Sequence, residues 1–408
     1  MKDLRKGAIE VAQQIRDAGY EAYFAGGSVR DLLLGLTPKD FDLVTDATPQ
    51  EVDKLFKRTV LVGAQFGVIR VLWSGKREYE IASYRSDGLY TDGRRPNDVE
   101  YSKSKEEDVK RRDFTVNALL MDPFTDEVFD YVEGRIDLEA GLIRAVGEAD
   151  RRFQEDRLRL LRAIRFAARF GFEIEPLTMK AIIGHASHIN EVSEERIVTE
   201  LHGIWMSARP EHGMSLLSKT GLLDALFTDL VHEDHAEVLR RFTTFSDLPS
   251  VSDSEDVHAL AWALLLDVCS LSNLDATLRR LKLSRSLMKK ISSLLTMKPD
   301  LLACEQLTSA EKIRTARHPN FQTALRFLEG LRGRDAEVLS SWQKVQDDLK
   351  TSPLPKLPLL TGADLSKLGY KPGPIFKKIL RGVEDEVFER RVATTQEALD
   401  WVKAQDWS

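Results

Sequence analysis

Residues 23–44 read Tyr-Phe-Ala-Gly-Gly-Ser-Val-Arg-Asp-Leu-Leu-Leu-Gly-Leu-Thr-Pro-Lys-Asp-Phe-Asp-Leu-Val. The pattern predicts a short strand at 20–25 and then a short helix at 28–34, with Ser28 as its N-cap and Gly35 at its end. Two glycines between a strand and a helix let backbone N–H groups approach a phosphate, and Arg30 adds positive charge one turn later. A Gly-Gly pair is also common in ordinary turns, so this feature alone leaves both alternatives open.

The same stretch ends in two carboxylates, Asp40 and Asp42, which fall on the next predicted strand. Side chains at positions i and i+2 leave a strand on the same face, so these two carboxylates converge on one point. Their repulsion is costly unless a cation neutralises it, and hard oxygen ligands suit Mg²⁺. The pair indicates a two-metal site that serves an attacking and a leaving oxygen. A solvent-facing edge strand that carries two charges is the alternative.

Further β-rich runs follow at 60–62, 67–73 and 78–84. Their partial alternation of apolar residues is typical of strands, and residues 5–18 show apolar residues at helical spacing. The first 140 residues are therefore predicted to be mixed α and β. Glu80 lies in the last of these runs and can supply a third carboxylate to the aspartate pair. An ordinary residue on the polar face of a strand is an equal alternative.

A second charged segment, Lys-Arg-Arg-Asp-Phe-Thr-Val-Asn-Ala, occupies 110–118 and leads into a predicted helix. Arg111 and Arg112 can hold a triphosphate through forked hydrogen bonds, and Asn117 adds a neutral donor beside them. The alternative is a helix N-terminus stabilised by salt bridges, with Asp113 as its cap.

A third segment, 151–166, is predicted to form one helix. Glu155, Arg159 and Arg162 stand at i, i+4 and i+7, and Asp156 lies three residues before Arg159, so one polar face offers acceptors and donors in fixed order. Cytosine and adenine each present a ring-nitrogen acceptor beside an amine donor. A carboxylate beside a guanidinium matches both bases and mismatches uracil and guanine. A surface helix with i,i+4 salt bridges is the common alternative.

Composition narrows the class of protein. The 408 residues include 42% hydrophobic residues, which suffices for a buried core, and 59 Lys and Arg against 65 Asp and Glu give a net charge of −6. This balance excludes a globally cationic nucleic-acid binder. Two cysteines, Cys269 and Cys304, exclude a disulfide framework and a Cys-based zinc site. Since no run approaches the roughly 18 apolar residues of a membrane span, we expect a soluble cytoplasmic protein without a membrane partner.

Beyond residue 144, helical patterns follow one another between turn signals, so the predicted fold is α+β with an all-helical remainder. Three prolines at 351–358 predict an extended linker before a last small helical unit. Residues 276–298 hold seven basic and no acidic residues, a pattern that can grip an RNA backbone, or equally solubilise a helix face.

The order of these motifs resembles the class II tRNA nucleotidyltransferases, which include the CCA-adding enzymes and the related bacterial poly(A) polymerases. The likeness runs from Tyr23 to Phe172 and continues more weakly to the C-terminus. It implies a catalytic head at 1–140, a helical neck with the nucleotide-reading helix at 141–210, a tRNA-binding body at 211–350 and a tRNA-binding tail at 351–408. The resemblance implies triphosphate binding for Gly26, Gly27 and Arg30, catalytic metals on Asp40 and Asp42, sugar and phosphate binding for Arg111, Asp113 and Asn117, and nucleotide reading for Glu155, Asp156, Arg159 and Arg162.

The reaction implied by this resemblance is transfer of nucleotides from CTP and ATP to the 3′ end of tRNA, with two Mg²⁺ ions and contacts to the acceptor stem. The resemblance also identifies 87–96 as a flexible loop of the kind that A-adding members keep, which argues against a CC-only enzyme. Full CCA addition is the main interpretation. Addition of the terminal A alone, or bacterial poly(A) polymerase activity, is the alternative, and protein partners are unknown.

Overall fold

A computed structural model of the chain describes residues 2–63, 67–74, 77–85, 101–228, 235–246, 253–267, 271–334 and 336–407. The chain divides into two compact units, Met1–His232 and Glu233–Ser408. The finer division into head, neck, body and tail remains a prediction, as do its boundaries at 140, 210 and 350. The loop predicted at 87–96 lies outside the described residues.

The first unit contains a seven-stranded sheet with the order β3-β4-β5-β2-β1-β6-β7. Strands β2 and β5 are parallel, whereas the other neighbouring pairs are antiparallel. The strands are β1 (Tyr23–Ala25), β2 (Asp42–Thr45), β3 (Thr59–Gly63), β4 (Val68–Leu72), β5 (Glu78–Ser83), β6 (Leu119–Met121) and β7 (Val128–Asp130). This order places β1 and β2, the strands that flank the glycine turn and the aspartate pair, in the middle of the sheet.

Helix α1 (Lys2–Asp17) covers one face of this sheet. Its apolar residues Ala8, Val11, Ala12 and Ile15 recur at helical spacing and are fully buried in the same core as the sheet residues. The other helices packed with the sheet are α2 (Gly27–Leu33), α3 (Pro49–Leu55), α4 (Lys105–Lys110) and α5 (Gly134–Ala140). Packing of apolar side chains against both faces makes the central strands rigid supports for the residues at their ends.

In the described part of the first unit that follows the sheet, the regular structure is helical apart from a two-residue parallel bridge of β8 (Leu142–Ile143) and β9 (Glu173–Ile174). Its helices are α6 (Ala149–Glu155), α7 (Arg159–Phe170), α8 (Pro176–His185), α9 (Glu194–Trp205), α10 (Pro210–Lys219) and α11 (Leu222–Leu226). One side of α7 is buried, including Leu160, Leu161 and Ile164, and its arginines project from the other side.

All regular secondary structure in the described residues of the second unit is helical. It consists of α12 (His235–Ser246), α13 (Ser254–Leu266), α14 (Leu271–Arg280), α15 (Arg285–Leu302), α16 (Ser309–Ala316), α17 (Phe321–Arg332), α18 (Glu337–Thr351), α19 (Gly362–Lys367), α20 (Pro374–Phe388) and α21 (Thr395–Ala404). The basic run at 276–298 spans α14 and α15, where Lys290 and Lys298 pair with Asp256 and Asp267, each at 2.6 Å. Part of this run therefore forms ion pairs within the unit.

The α+β prediction is confirmed, and most predicted elements are present with shifts of one to three residues at their ends. The prediction that Ser28 caps α2 is wrong. Gly26 occupies the N-cap position with a φ of 66°, and the Ser28 hydroxyl donates to the carbonyl of Ala25 at 3.1 Å. A left-handed residue at this point turns the chain directly from β1 into α2, which leaves Ser28 inside the helix. Among the described residues, none of the helices is long and apolar enough to span a bilayer.

Candidate active site

A cavity of about 640 Å³ in the first unit collects most of the residues that the sequence singled out. Nine basic side chains and five aspartates face it, an arrangement suited to a polyanion bound near one or more cations. Of the predicted site residues, Glu80 and Glu155 lie outside its lining. The lining consists of Gly26, Gly27, Arg30, Asp31, Lys39, Asp40, Asp42, Arg111, Arg112, Asp113, Asn117, Asp156, Leu158, Arg159, Arg162, Arg165, Phe166, Arg169 and Arg196.

The glycine turn forms one edge of the cavity. The backbone N–H of Gly26 donates to the carbonyl of Leu119 on β6 at 3.2 Å, which fixes the turn to the sheet. A Cβ atom added to Gly26 would come within 3.3 Å of Nη1 of Arg112. Glycine is therefore required here both for its backbone conformation and for the close approach of Arg112.

Arg30 follows one turn into α2 and is 2% exposed. Its Nε donates to Oδ1 of Asp31 at 2.9 Å, and its guanidinium stacks 4.5 Å from the ring centre of Phe170 on α7. Asp31 also accepts a hydrogen bond from Arg169 of α7 at 3.0 Å. Burial lowers the pKa of Arg30, and the charge of Asp31 opposes that shift. The predicted phosphate-binding arginine is thus held in one orientation by α2 and α7 together.

Asp42 is the first residue of β2 and Asp40 lies two residues before the strand, so the prediction that both fall on the strand is wrong for Asp40; both side chains nevertheless line the cavity. Removal from bulk water raises the pKa of Asp42 to about 6, and the negative charges of Asp40 and Glu80 add to the rise. Because these carboxylates repel one another, a bound cation would stabilise their ionised forms. Their oxygen donors fit Mg²⁺.

Glu80 lies next to this pair on β5. Leu43 of β2 pairs with Ile81 of the parallel strand β5. The residues that precede them, Asp42 and Glu80, are therefore adjacent across the two strands. The carboxylate of Glu80 forms an ion pair with Arg70 at 2.8 Å. Within the described ranges, no group of three or more His, Cys, Asp or Glu side chains is arranged to hold a metal ion. The candidate metal site is therefore two aspartates with Glu80 as an adjacent negative charge.

Arg111 and Arg112 share one buried partner, Asp108 of α4. Nε of Arg111 donates to Oδ1 of Asp108, and Nη2 of Arg112 donates to Oδ2, each at 2.9 Å. Burial alone would raise the pKa of Asp108, but the two guanidinium groups outweigh this effect and lower it. The predicted helix after 110–118 is wrong, and so is the alternative of a helix N-terminus capped by Asp113: the arginines follow the C-terminal end of α4, and a single 3₁₀ turn, Thr115–Asn117, leads into β6. The arginine pair is anchored by Asp108 and lines the cavity.

A chain of hydrogen bonds runs from Arg30 to Arg162 across the floor of the cavity. Nη1 of Arg30 donates to Oδ1 of Asn117, Nδ2 of Asn117 donates to Oδ1 of Asp113 at 3.3 Å, and Nε of Arg162 donates to Oδ2 of Asp113 at 2.9 Å. Burial would raise the pKa of Asp113, but Arg162 and then Arg159 outweigh burial and lower it. The glycine turn, the 110–118 segment and α7 are thereby connected.

The prediction of one continuous helix over 151–166 is wrong. Helix α6 ends at Glu155, Asp156 adopts an extended backbone with φ −150° and ψ 105°, and α7 begins at Arg159. The cause is a side-chain hydrogen bond, because Oδ1 of Asp156 accepts from the backbone N–H of Leu158 at 3.1 Å. Asp residues compete with the helix in this way. The helical spacing assumed for Glu155 and Asp156 relative to Arg159 therefore does not apply.

This break separates the two acidic residues. Glu155 is 5% exposed and lies behind the cavity, where its Oε2 accepts from Nη1 of Arg159 at 2.8 Å. Asp156 faces the cavity, and its Oδ2 accepts from Nη2 of Arg196 on α9 at 2.7 Å. Arg159 also donates to the carbonyls of Arg152 and Arg111, at 2.9 and 3.4 Å. Asp156 and Arg159 therefore both line the cavity, and base reading by the two remains a prediction.

Five charged residues of the lining were not predicted. Arg165 and Arg169 continue the face of Arg162 at +3 and +7 on α7, and this spacing is readable in the sequence. Arg196 is about forty residues away from its partner Asp156, and no local pattern connects the two. The five residues are Asp31, Lys39, Arg165, Arg169 and Arg196.

Three segments of the chain match known domain families. Residues 22–144 match the Poly A polymerase head domain, residues 171–233 match the family described as "Probable RNA and SrmB- binding site of polymerase A", and residues 255–402 match tRNA nucleotidyltransferase domain 2. The first match ends close to the predicted head boundary, and together the three extend over most of the chain.

Two relatives that match almost the whole chain are both named CCA-adding enzyme. The CCA-adding enzyme of Ligilactobacillus salivarius is 33% identical over 404 residues, which cover 97% of this chain and 95% of the relative. The CCA-adding enzyme of Streptococcus pyogenes serotype M3 is 35% identical over 394 residues, which cover 94% and 93%.

Solved structures agree with these relatives. The CCA-adding enzyme of Bacillus stearothermophilus in complex with CTP superimposes with a TM-score of 0.79 at 28% identity, over 99% of this chain and 98% of that one. The Thermotoga maritima CCA-adding enzyme complexed with tRNA shares the fold, with a TM-score of 0.72 at 21% identity, over 99% and 95% of the two chains. On the sequence identity of its full-length relatives, the chain belongs to the CCA-adding enzymes, a family of tRNA nucleotidyltransferases.

Proposed function

We propose that this protein adds the 3′-terminal CCA to tRNA, using CTP and ATP and releasing pyrophosphate. The observation that carries this proposal is one cavity lined by the Asp40 and Asp42 pair, by the basic residues Arg30, Arg111 and Arg112, and by the Asp156–Arg159 pair. These three groups match the three parts of the reaction, which are a metal-assisted attack, a triphosphate and a base that must be chosen.

The basic residues are assigned to the triphosphate. Arg30 and the Arg111–Arg112 pair are held by carboxylates behind them, so their charges are fixed before a nucleotide arrives. Fixed donors bind a phosphate without the entropic cost of ordering long side chains. Gly26 and Gly27 also line the cavity, and because neither carries a Cβ atom, a phosphate can approach their backbone closely.

Asp40 and Asp42 are assigned to Mg²⁺. Their mutual repulsion and that of Glu80 favour a bound cation, and their oxygens suit Mg²⁺. Bound divalent cations supply charge neutralisation of the phosphates and acidify a bound hydroxyl. Glu80 contributes negative charge from β5, while its own carboxylate stays paired with Arg70.

The attacking group is assigned to the tRNA 3′-hydroxyl, which displaces pyrophosphate from the α-phosphorus of the nucleotide. Pyrophosphate departs on the side of the basic residues, where its developing charge is stabilised. Asp113 and Asn117 lie between the phosphate-binding arginine Arg30 and the base-reading helix α7, a place that suits the sugar. This direct displacement needs no covalent enzyme intermediate.

Asp156 and Arg159 are assigned to base choice. The three hydrogen bonds of Arg159 to Glu155, Arg152 and Arg111 use three of the five N–H groups of a guanidinium, so two are left for a base. The Asp156 carboxylate has lone pairs left for an exocyclic amine after it binds Leu158 and Arg196. This pair complements cytosine and adenine and opposes uracil and guanine.

The test uses tRNA transcripts that end at the discriminator base, at C or at CC, each with CTP, ATP or both. Full CCA addition predicts that the first transcript gains three nucleotides when both triphosphates are present, and one A on the CC end with ATP alone. Activity confined to CC ends would show an A-adding enzyme. Long A tracts on several RNA 3′ ends would show a poly(A) polymerase.

A further inference from the structure

Arg196 contacts Asp156, the carboxylate assigned to base choice, although the two residues are forty positions apart in the sequence. It projects from α9, and its Nη2 lies 2.7 Å from Oδ2 of Asp156. Both side chains are largely buried, 27% and 21% exposed, and both line the cavity. A shielded charge pair of this kind holds its geometry more firmly than an exposed one.

The direction of the Asp156 carboxylate depends on this contact. Asp156 lies in the break between α6 and α7, so no helical turn fixes its side chain. Two contacts orient its oxygens, the backbone N–H of Leu158 on Oδ1 and the guanidinium of Arg196 on Oδ2. Without Arg196 the carboxylate keeps the Leu158 contact and can turn about its last bond, which has broad preferences.

Helix α9 makes a second contact that keeps Arg196 in place. Glu200, one turn after Arg196, accepts a hydrogen bond from Arg165 of α7, and Glu200 itself is 6% exposed. Positions 196 and 200 share one face of α9. This face of α9 therefore contacts Asp156, which precedes α7, and Arg165, which lies within α7. The two contacts fix the position of α9 relative to the residues assigned to base reading.

We infer that Arg196 is a positioning residue for nucleotide selection: it fixes the Asp156 carboxylate in the orientation that accepts the amine of cytosine or adenine. Glu155 positions Arg159 in a similar way, because its carboxylate accepts a hydrogen bond from the Arg159 guanidinium. The inference rests on the proposed function, because it assigns Asp156 to the base. A carboxylate that can turn away no longer repels the carbonyl oxygen of uracil or guanine. The loss of Arg196 should therefore reduce the preference of the enzyme for CTP and ATP over UTP and GTP.

The experiment compares R196A, R196K and R209A with the wild-type protein on tRNA ending in CC and at the discriminator base. The kcat/KM ratios of ATP to GTP and of CTP to UTP are measured with full-length protein. R196A is expected to lower both ratios about tenfold, the value of one charged hydrogen bond. R196K, which keeps the charge but loses the fork, is expected to fall between R196A and the wild type.

Arg209 provides the matched control, since it pairs with Glu211 at 3.2 Å on an exposed part of the same unit and does not line the cavity. R209A should keep both ratios at the wild-type value. If R196A does not fold, as shown by its thermal unfolding, R196K carries the test alone and must show the intermediate ratios.

A double-mutant cycle separates positioning from a general structural role. If Arg196 acts through Asp156, D156A and D156A/R196A have equal selectivity, because nothing is left to position. Wild-type selectivity in folded R196A or R196K, or a further loss of selectivity in the double variant, overturns the inference while the proposed function stands. A wild-type protein that adds no nucleotide to tRNA overturns both.

Discussion

Nε of Arg162 lies 2.9 Å from Oδ2 of Asp113, and this bond joins α7, the helix assigned to base reading, to the segment assigned to the sugar. Asp113 is the acceptor for Asn117 as well, which in turn accepts from Arg30. One carboxylate therefore connects the three parts of the cavity that we assign to phosphate, sugar and base.

Replacing this carboxylate by an amide, Asp113→Asn, should destabilise the protein by about 3 kcal/mol, because Arg162 loses its largely buried counter-charge. Chemical denaturation measures the change in the free energy of unfolding. Glu106→Gln, which removes an exposed i,i+4 pair with Lys110, should change it by less than about 0.5 kcal/mol. Equal effects of the two substitutions would contradict the assigned role of Asp113.

This stabilisation should also depend on pH. The pKa of Asp113 is lower in the folded protein than in the unfolded chain, so its contribution is fully present above the unfolded pKa of about 3.9 and is lost as the pH falls through the folded value. The difference in unfolding free energy between wild type and D113N should therefore be constant near neutrality and shrink below about pH 4. A difference that grows on acidification would refute this.

Asp42→Ala should reduce nucleotide incorporation about 1,000-fold or more, because one of two candidate metal-holding carboxylates is removed. Binding of tRNA, measured by filter retention, should stay near wild type. Asp53→Ala on the exposed side of α3 is the control for loss of an acidic residue and should keep full activity. Turnover of D42A within tenfold of the wild type would remove Asp42 from the proposed mechanism.

Arg159→Ala should relax discrimination against UTP by about tenfold or more, since the base loses a fixed donor beside Asp156. Competition between CTP and UTP on one transcript measures the ratio directly. Glu155→Gln should act in the same direction but less strongly, because Arg159 keeps its bonds to two carbonyl groups. Unchanged selectivity in R159A would exclude base reading by this residue.

Gly26→Ala and Gly35→Ala form a matched pair for the glycine turn. Both residues have positive φ, 66° and 69°, so alanine costs roughly 1–2 kcal/mol of stability at either site. Only at Gly26 does the new methyl group meet another residue, Nη1 of Arg112 at 3.3 Å, whereas nothing lies within 4 Å at Gly35. Nucleotide KM should therefore rise in G26A and stay near wild type in G35A. Equal KM values would show that the turn does not approach the nucleotide.

Much of the head could be predicted from the sequence because its signals are local. The strand before Gly26 and the short helix after it follow from alternation and from turn residues. Asp40 and Asp42 both line the cavity, although only Asp42 lies in β2. The roles of these residues remain predictions, and their positions agree with those roles.

The base-reading surface was predicted in part, and the failures have physical causes. A periodic pattern of charges cannot show that the carboxylate of Asp156 will accept from the backbone N–H of Leu158, a local bond at the break between α6 and α7, which leaves Glu155 outside the cavity lining. The pairing of Arg196 with Asp156 is a tertiary contact between separate helices, which no local spacing encodes. One local bond and one long-range contact therefore set the orientation of side chains whose presence the sequence had indicated.

The hydrogen-bonded chain from Arg30 through Asn117 and Asp113 to Arg162 has a consequence for protein engineering. Consider a chimera that takes its head from one homologue and its helices from another, with a crossover between residues 117 and 162. In this chimera Asp113 and Arg162, which form one hydrogen bond, come from different parent proteins. Such hybrids should work when both parents place the same donors and acceptors at the junction. Where the parents differ, transplanting Asp113 and Arg162 together should restore activity that either exchange alone destroys.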